Sequence, residues 1–364
     1  MASTPTVGVE EEFLLVDATS GEPVARNEAV ARRAEQRGVT LQLELTSCQV
    51  ETATDVANDT EDLRTQLTRL RRVAAEAAEA DGVRLLAAGL PPTVPHEFPI
   101  TDNARYRRIA ERFGMIAHEQ GICGCHVHVA VPDREAAIRV SNRLRPWLPL
   151  LLALTANSAV YRNTDTGYAS WRSVLWQRWP SAGPPPHFDS ADDYDAVVRM
   201  LQNSGAMLDD GMVYWDVRPS SNFPTIEVRV ADVPATVAET VLLAAMTRGC
   251  VMTALDAERR GDGLAPLSPV ALRAAYWKSA RDGLAGHAVD LTGDHAPVPA
   301  TDLLDGLIEQ IRPALEDVGD YEMVRSEVVR IAEHGNGAMR QRRAWQRRHD
   351  ICDVLAEVSA ATLE

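Results

Sequence analysis

Hydrophobic positions recur along the chain with two periods, one typical of helices and one typical of strands. The clearest helical pattern covers Glu61 to Ala80, where leucine, valine and alanine recur every three or four residues before Gly82. A second pattern predicts a helix from about Ala104 to Glu119, ending at Gly121. Each of these helices presents one apolar face, so each should pack against the rest of the protein along that face.

Later helical segments are more apolar. Thr236 and Glu239 form a capping box ahead of VLLAAMTRGCVMTAL, which carries one charge and should be largely buried. Ser268 and Pro269 predict another helix start, and two more helical regions cover much of 301–333 and 337–360. The stretch PWLPLLLALTANSAV is shorter than the roughly 20 apolar residues of a membrane span, so a buried helix is predicted.

Strands are predicted between these helices, together with loops rich in proline and glycine at 89–100 and 180–187. The predicted strands are Thr6–Val16, Gln42–Ala53, Val83–Ala88, Gly124–Val131, Tyr214–Arg218 and Thr225–Val230. No 20–50-residue period repeats, which argues against a solenoid or a propeller. The expected fold class is α+β, and residues 1–364 show no clear domain boundary.

Several predicted strands carry polar residues at alternate positions, which place them on one face. In TVGVEEEFLLVD, Glu10 and Glu12 share a face, whereas Glu11 falls unexplained among the apolar residues. In CHVHVAV, the two imidazoles of His126 and His128 project together, opposite Cys125.

The same alternation pairs Glu227 with Arg229 in TIEVRV and Asp216 with Arg218 in YWDVRP, and QVETAT adds Glu51. For any single pair, an exposed sheet face is the simpler interpretation. If the polar faces converge, their carboxylates and one histidine would form an oxygen-rich site suited to Mg²⁺ or Mn²⁺.

A zinc site is the competing interpretation, because Cys123, Cys125, His126 and His128 fall within six residues. In an extended strand the two cysteines face away from the two histidines, so one ion cannot easily bind all four. A metal-dependent hydrolase built on this segment would bind Zn²⁺ tightly and need no nucleotide. Buried thiols are the favoured interpretation of the cysteines.

Arginines provide the expected contacts to anionic ligands, since guanidinium groups bind phosphate and carboxylate oxygens in pairs. The run DTGYASWRSVLWQRWPSAGPPP is dense in aromatic and guanidinium groups, which suits a ligand-lining loop that holds a carboxylate. Aromatic packing under a loop is the alternative for this run, and internal ion pairs are the alternative for Arg218 and Arg229.

Composition limits the classes of function. The formal net charge of −15 argues against nucleic acid and anionic membranes as partners. The N-terminus does not resemble a signal peptide, and five cysteines without framework spacing fit a reducing compartment, so a cytoplasmic location is expected. The chain contains neither a Walker A motif nor a GxSxG elbow.

In their order and spacing, GVEEEF, QVETAT, HVHV, NSAVYRNTDTGYASWR, YWDVRPS and TIEVRVAD together resemble the carboxylate–amine ligase family, also called glutamate–cysteine ligase type 2. The resemblance covers nearly the whole chain. It implies a core like that of glutamine synthetase, in which an antiparallel sheet forms a funnel flanked by helices. It also implies an ATP-dependent ligase that activates a carboxylate as an acyl phosphate and joins it to an amine, with glutamate and cysteine or a related small amine as substrates.

The resemblance implies roles for individual residues at the matching positions. The implied metal ligands are Glu10, Glu12, Glu51, His126 and Glu227, with His128 as a neighbour. The implied catalytic residues are Glu51, Glu227 and Arg229. The implied nucleotide contacts are Arg229, Arg218 and Trp215, and the implied substrate-binding residues are Tyr168, Ser170 and Arg172.

One position departs from the family pattern, because Ser47 stands where several relatives carry an acidic residue. One metal position should therefore be weaker or filled by water. The family suggests small-molecule substrates and a homodimer or a larger assembly. A non-catalytic relative that binds a nucleotide or a metabolite is the alternative, although such a protein would be expected to lose Glu10, Glu12 or Glu227.

Overall fold

The computed structural model describes residues 4–95, 98–119 and 121–364. The strands are β1 Val7–Asp17, β2 Gln42–Leu43, β3 Gln49–Ala53, β4 Val83–Leu86, β5 Gly124–Ala130, β6 Val160–Tyr161, β7 Thr164–Asp165, β8 Val217–Pro219, β9 Thr225–Asp232, β10 His287–Val289 and β11 Pro297–Pro299. The helices are α1 Asn27–Glu35, α2 Thr60–Glu79, α3 Ala104–Phe113, α4 Met115–His118, α5 Arg134–Leu144, α6 Leu148–Thr155, α7 Trp171–Trp176, α8 Ala191–Asn203, α9 Val237–Arg260, α10 Pro269–Asp282, α11 Ala300–Asp317, α12 Tyr321–His334, α13 Gly337–Arg348 and α14 Ile351–Thr362.

A seven-stranded antiparallel sheet forms the centre of the protein, in the order β2-β3-β1-β5-β9-β8, with β4 also paired to β1. Among the described residues the sheet is open, with β2 and β8 at its two edges. Helices pack around it, so the predicted α+β class with an antiparallel sheet is confirmed.

One face of the sheet is covered by apolar helices. Valines from β1, β5 and β9 pack with α5, α6 and α9 in the largest hydrophobic cluster. Helix α9 begins as predicted, because the Thr236 side chain accepts a hydrogen bond from the Glu239 amide. Helix α9 is long and apolar enough to cross a membrane, but 83% of its most apolar window is buried within the protein. It is therefore a core helix, as its sequence predicted.

A second hydrophobic cluster lies where β1 extends to β3 and β4, under α1, α2 and α14. The periodic helix predicted from Glu61 is α2, and its N-cap is Asp59, whose side chain accepts from the Asp62 amide. The packing of α14 here brings the C-terminal end of the chain against the strands that begin it.

The structure interrupts two elements that the sequence predicted as continuous. Gly114, with φ of 54°, ends α3 and precedes the short helix α4, so the helix predicted over 104–119 is divided. The strand predicted over 42–53 is likewise divided into β2 and β3 by an irregular segment that includes Thr46, which pairs with Ile100. These interruptions depend on backbone conformation and on a distant partner, which periodicity does not report.

Candidate active site

The register of the central strands places the polar residues predicted from alternation directly opposite one another. Glu10 on β1 lies opposite His126 on β5, and Glu12 on β1 lies opposite Glu51 on β3. On the other side of β5, His128 lies opposite Glu227 on β9. These four strands therefore bring all the predicted metal ligands to one face of the sheet.

Short contacts connect these side chains. His126 Nδ1 lies 3.0 Å from Glu10 Oε2, and His126 Nε2 lies 3.7 Å from Glu12 Oε1. The other Glu12 oxygen accepts a 2.6 Å hydrogen bond from the Gly124 amide. His128 Nε2 lies 3.5 Å from Glu10 Oε1. Each histidine of the HVH motif therefore contacts Glu10.

Glu44 belongs to the same cluster, although the sequence analysis did not identify it. It follows β2 at the sheet edge, and its carboxylate lies within 4.8 Å of ligand atoms of Glu12 and Glu51. Two further groups meet the same spacing, Glu10 with Glu51 and His126, and Glu10 with His128 and Glu227. The available signal was an acidic residue in LQLELTSC, seven residues before Glu51.

Crowding of carboxylates on this face changes their proton affinity. Burial and, to a smaller extent, the neighbouring Glu12 carboxylate raise the pKa of Glu44 to about 8. Burial also raises the pKa of Glu51 well above its usual value, and Glu44 and Glu10 add to the effect. The carboxylates of the cluster therefore carry more negative charge than the nearby arginines can neutralise. A bound divalent cation would reduce this repulsion.

Glu227 has the opposite environment, because two arginines contact its carboxylate. Arg218 Nε donates to Oε2 at 2.8 Å, and Arg229 Nη1 donates to Oε1. Burial opposes ionisation of Glu227, but Arg229 and Arg218 outweigh it and lower its pKa well below the usual range. Burial, followed by Arg229, lowers the pKa of His126, which favours the neutral imidazole that a metal requires.

A β-bulge in β9 determines which of its residues face the site. Val228 pairs with Val127 and Ala231 pairs with Cys125, so three steps along β9 match two along β5. Val230 and Ala231 both lie in the hydrophobic cluster beneath the sheet. Asp232 consequently lies opposite Gly124, on the face of His126, where strict alternation from Glu227 would have placed it on the apolar side.

The three residues expected to bind the acid substrate point in two directions. Arg172 on α7 is buried, with its guanidinium close to Gly124 and to His126. The Ser170 side chain accepts a hydrogen bond from the Ser173 amide and caps α7. The Tyr168 ring instead packs on Trp171, with a centroid distance of 5.0 Å.

Tyr168 also accepts a hydrogen bond from the exposed Trp277 side chain. Of the three residues, only Arg172 therefore approaches the carboxylate cluster directly.

Trp215 does not join the carboxylate cluster in the described structure. Its ring packs between Phe188 and Tyr194, with centroid distances of 5.2 and 5.5 Å. The neighbouring Asp216 is buried, and desolvation raises its pKa to about 6. Trp215 is thus part of a buried aromatic cluster with Phe188 and Tyr194.

The cysteines lie apart from the metal-binding groups. Cys125 is buried in the hydrophobic cluster beneath the sheet, on the face opposite His126. Cys123 is buried near Gln49, and each of the five cysteines, all within the described ranges, is a free thiol. The candidate metal-binding groups found among the described residues contain only carboxylates and imidazoles.

Comparison with known sequences gives the same assignment over the full length. Residues 6–357 match the family described as "Glutamate-cysteine ligase family 2(GCS2)". A protein of Mycolicibacterium vanbaalenii named "Putative glutamate--cysteine ligase 2-2" is 71% identical over 364 residues, covering 100% of both chains. A protein of Salinispora tropica named "Putative glutamate--cysteine ligase 2" is 47% identical, covering 99% of this chain and 95% of its own.

Solved structures share the fold at low sequence identity. A glutamate–cysteine ligase from Francisella tularensis, solved in complex with AMP, superposes with a TM-score of 0.72 at 14% identity, covering 99% of this chain and 88% of its own. A bifunctional glutathione synthetase from Pasteurella multocida also gives 0.72, at 15% identity, covering 99% of this chain and 52% of its own. From its sequence match over residues 6–357 and its close relatives, the chain belongs to glutamate–cysteine ligase family 2, a family of ATP-dependent ligases that form C–N bonds.

Proposed function

We propose that this ligase uses ATP and Mg²⁺ or Mn²⁺ to join a carboxylate of glutamate to the amine of cysteine or of a related small molecule. The observation that carries the proposal is the convergence of Glu10, Glu12, Glu51 and Glu227 with His126 on one sheet face. Arg229, within 3.3 Å of His126, adds positive charge at the same place. The names of the relatives supply glutamate and cysteine as the first substrates to test.

The residues fit a divalent cation of the hard type. Most of the donor atoms are carboxylate oxygens, which Mg²⁺ and Mn²⁺ prefer, and imidazole nitrogens are the minority. The Nε2 atom of His128 is buried and makes no hydrogen bond among the described groups beyond its 3.5 Å approach to Glu10 Oε1, so it is available to a cation. Glu10, Glu12, Glu51, His126 and Glu227 would hold the cations, with Glu44 and His128 as additional ligands. Bound there, they would neutralise charge on the phosphate oxygens of ATP.

The proposed reaction has two steps. The γ-phosphoryl group passes from ATP to a carboxylate oxygen of the acid substrate, which gives an acyl phosphate and ADP. The amine nitrogen then attacks the acyl carbon, the bond from that carbon to the phosphate oxygen breaks, and the amide, inorganic phosphate and a proton leave. No covalent bond to the protein is needed, so the residues act by positioning and by charge.

Three arginines have separate roles in these steps. Arg229 and Arg218, both oriented by Glu227, neutralise the transferring phosphoryl group. Arg172 holds the carboxylate of the acid substrate beside Glu12 and His126. We place the nucleoside of ATP in a cavity of about 330 Å³ next to Arg218, which is lined by polar residues such as Tyr194 and Ser220 and by the apolar Val198, Val213 and Pro219.

The test is release of ADP from ATP and Mg²⁺ in the presence of amino acids and amines, singly and in pairs. The proposal expects ADP only when one acid and one amine are both present, with glutamate and cysteine tried first. If no pair supports ADP release while ATP still binds, the protein is a binding relative and the proposed function is wrong. Hydrolysis that needs Zn²⁺ but no nucleotide would favour a metal-dependent hydrolase instead.

A free exposed thiol at Cys352 and four buried ones suit a reducing compartment, so we place the enzyme in the cytoplasm. Its partners are small-molecule substrates and, following the family, a second copy of the chain. Sedimentation of the purified enzyme checks the predicted homodimer.

A further inference from the structure

We propose that Asp232 is a positioning residue that fixes the Arg172 guanidinium over Gly124 and so sets the affinity of the enzyme for its acid substrate. The inference rests on the proposed role of Arg172 as the carboxylate-binding group. Neither the family resemblance nor strand alternation assigns a role to Asp232, because the β-bulge alone turns it toward the site.

Asp232 is fully buried, and both of its carboxylate oxygens are used. Oδ2 accepts hydrogen bonds from the Asn157 amide at 2.8 Å and from Ser158 Oγ at 2.7 Å. Oδ1 accepts from Ser170 Oγ at 2.8 Å and lies 3.7 Å from Arg172 Nη1. Burial raises the pKa of Asp232, whereas Arg172 and these donors lower it.

The same donors also fix the backbone that carries Arg172. Ser158 Oγ accepts a 3.0 Å hydrogen bond from the Arg172 amide, and Ser170 Oγ accepts from the Ser173 amide. One carboxylate therefore holds the start of α7 through two serines and attracts the Arg172 side chain directly. Displacement of this carboxylate would disturb both constraints at once.

Two glycines leave room for this arrangement. A Cβ atom placed on Gly89 would lie 2.8 Å from Asp232 Cγ, so a side chain there would push the carboxylate away. A Cβ atom on Gly124 would collide with Arg172 Nη2 and lie 3.3 Å from His126 Nε2. Arg172 Nη2 and His126 therefore border the same small space, next to the Glu12 carboxylate that accepts from the Gly124 amide.

The charge of Asp232 also has an energetic role. Arg172 is buried and its Nε atom has no hydrogen-bond partner among the described groups. A buried guanidinium without a counter-charge is costly, so in the free enzyme Asp232 compensates it. When the substrate carboxylate binds, it meets a cation that is already desolvated and oriented, which lowers the cost of forming the charged pair.

The test compares Asp232→Asn with Arg172→Ala and the double variant in the ADP-release assay. Asp232→Asn should raise the apparent KM for the acid substrate about tenfold while changing the KM for ATP and kcat less than threefold. In the Arg172→Ala background, the same substitution should add no further increase in that KM, because the group it positions is gone.

The matched control is Asp320→Asn, since Asp320 is also buried and pairs with a buried arginine, Arg248. This control should lower thermal stability without changing the KM for the acid. Equal effects of Asp232→Asn with and without Arg172, or an unchanged KM, would overturn the inference while leaving the ligase activity established.

If the wild type releases no ADP, the proposed function fails and the positioning is measured directly instead. Crystal structures of the wild type and of Asp232→Asn should then differ in the Arg172 guanidinium, which should leave its place over Gly124 in the variant. A guanidinium that keeps its position without the Asp232 charge would show that Asp232 does not position it.

Discussion

Glu227 connects the metal-binding face to the cationic groups of the site, and its replacement by glutamine keeps the shape while removing the charge. We expect Glu227→Gln to lower metal-dependent ATP turnover at least 100-fold, because Arg218 and Arg229 lose the carboxylate that orients them. The assay is ADP release, with circular dichroism to confirm folding. Glu61→Gln on the surface of α2 is the control, and turnover equal to that control would contradict the assignment.

Enzyme kinetics can distinguish the role of Arg172 from the roles of the residues proposed to bind the nucleotide. Arg172→Ala should raise the apparent KM for the acid about 10–100-fold, since a charge-assisted hydrogen bond contributes about 1.5–3 kcal/mol. The KM for ATP should change little. Arg178→Ala, on the same segment but paired with Glu119, serves as the control. A larger effect on ATP than on the acid would assign Arg172 to the nucleotide.

Asp216 gives a pH-dependent prediction at the residue scale. Its folded-state pKa of about 6 exceeds the ordinary 3.8, so the folded state binds the proton more tightly than the unfolded state does. The free energy of unfolding should therefore fall as pH rises from about 4 through 6, by about 3 kcal/mol at most. Asp216→Asn removes this loss.

Urea unfolding of wild type and Asp216→Asn at several pH values tests the sign. The variant should gain stability relative to wild type as pH increases from 4.5 to 7.5. A difference that stays constant over this range would mean that Asp216 is not held in its protonated form by burial.

At the scale of elements, a buried ion pair explains why β1 carries an acidic residue, Glu11, on its apolar face. Arg71 of α2 donates to Glu11 Oε2 at 3.0 Å, and Thr240 of α9 donates to Oε1 at 2.6 Å. Arg71 also donates to the carbonyl oxygens of Pro234, Ala235 and Thr362. A single buried ion pair therefore joins β1, α2, α9 and the end of α14.

Removing one partner of this pair should destabilise the fold strongly. Arg71→Met should lower the free energy of unfolding by about 3–5 kcal/mol, because it leaves the Glu11 carboxylate buried without its cation. The exposed neighbour Arg72→Met is the control and should change it by less than about 0.5 kcal/mol. Urea denaturation measures both, and similar losses for the two variants would refute the structural role of Arg71.

At the scale of the whole molecule, the proposed metal site would join four strands that are distant in sequence. Mg²⁺ that binds only the folded state should raise the melting temperature, with a contribution of about 2.7 kcal/mol at 100 times its Kd. Chelation should reverse the shift. Glu51→Gln should reduce the shift, since Glu51 belongs to two of the candidate ligand groups.

Scanning calorimetry with and without Mg²⁺ makes this measurement without any substrate. Glu61→Gln, on an exposed helix surface, should keep the full shift. An equal shift in wild type and Glu51→Gln would place the bound cation elsewhere on this acidic protein, whose net charge is −15.

The sequence by itself determined which residues of a strand share a face, because side chains alternate along any extended backbone. That rule was sufficient to group Glu10 with Glu12, His126 with His128, and Glu227 with Arg229. The helix starts at Thr236 and Ser268 were also local, since a capping hydroxyl contacts an amide three residues away.

Only the tertiary structure decided what depends on pairing between distant segments. Glu44 joins the site because β2 and β3 pair at the sheet edge, and Asp232 joins it because β9 gains a residue relative to β5. Trp215 stays outside the carboxylate cluster because the rings of Phe188 and of Tyr194 on α8 pack against it. Strand register, bulges and packing are set by contacts across the sheet, so alternation within one strand could not predict them.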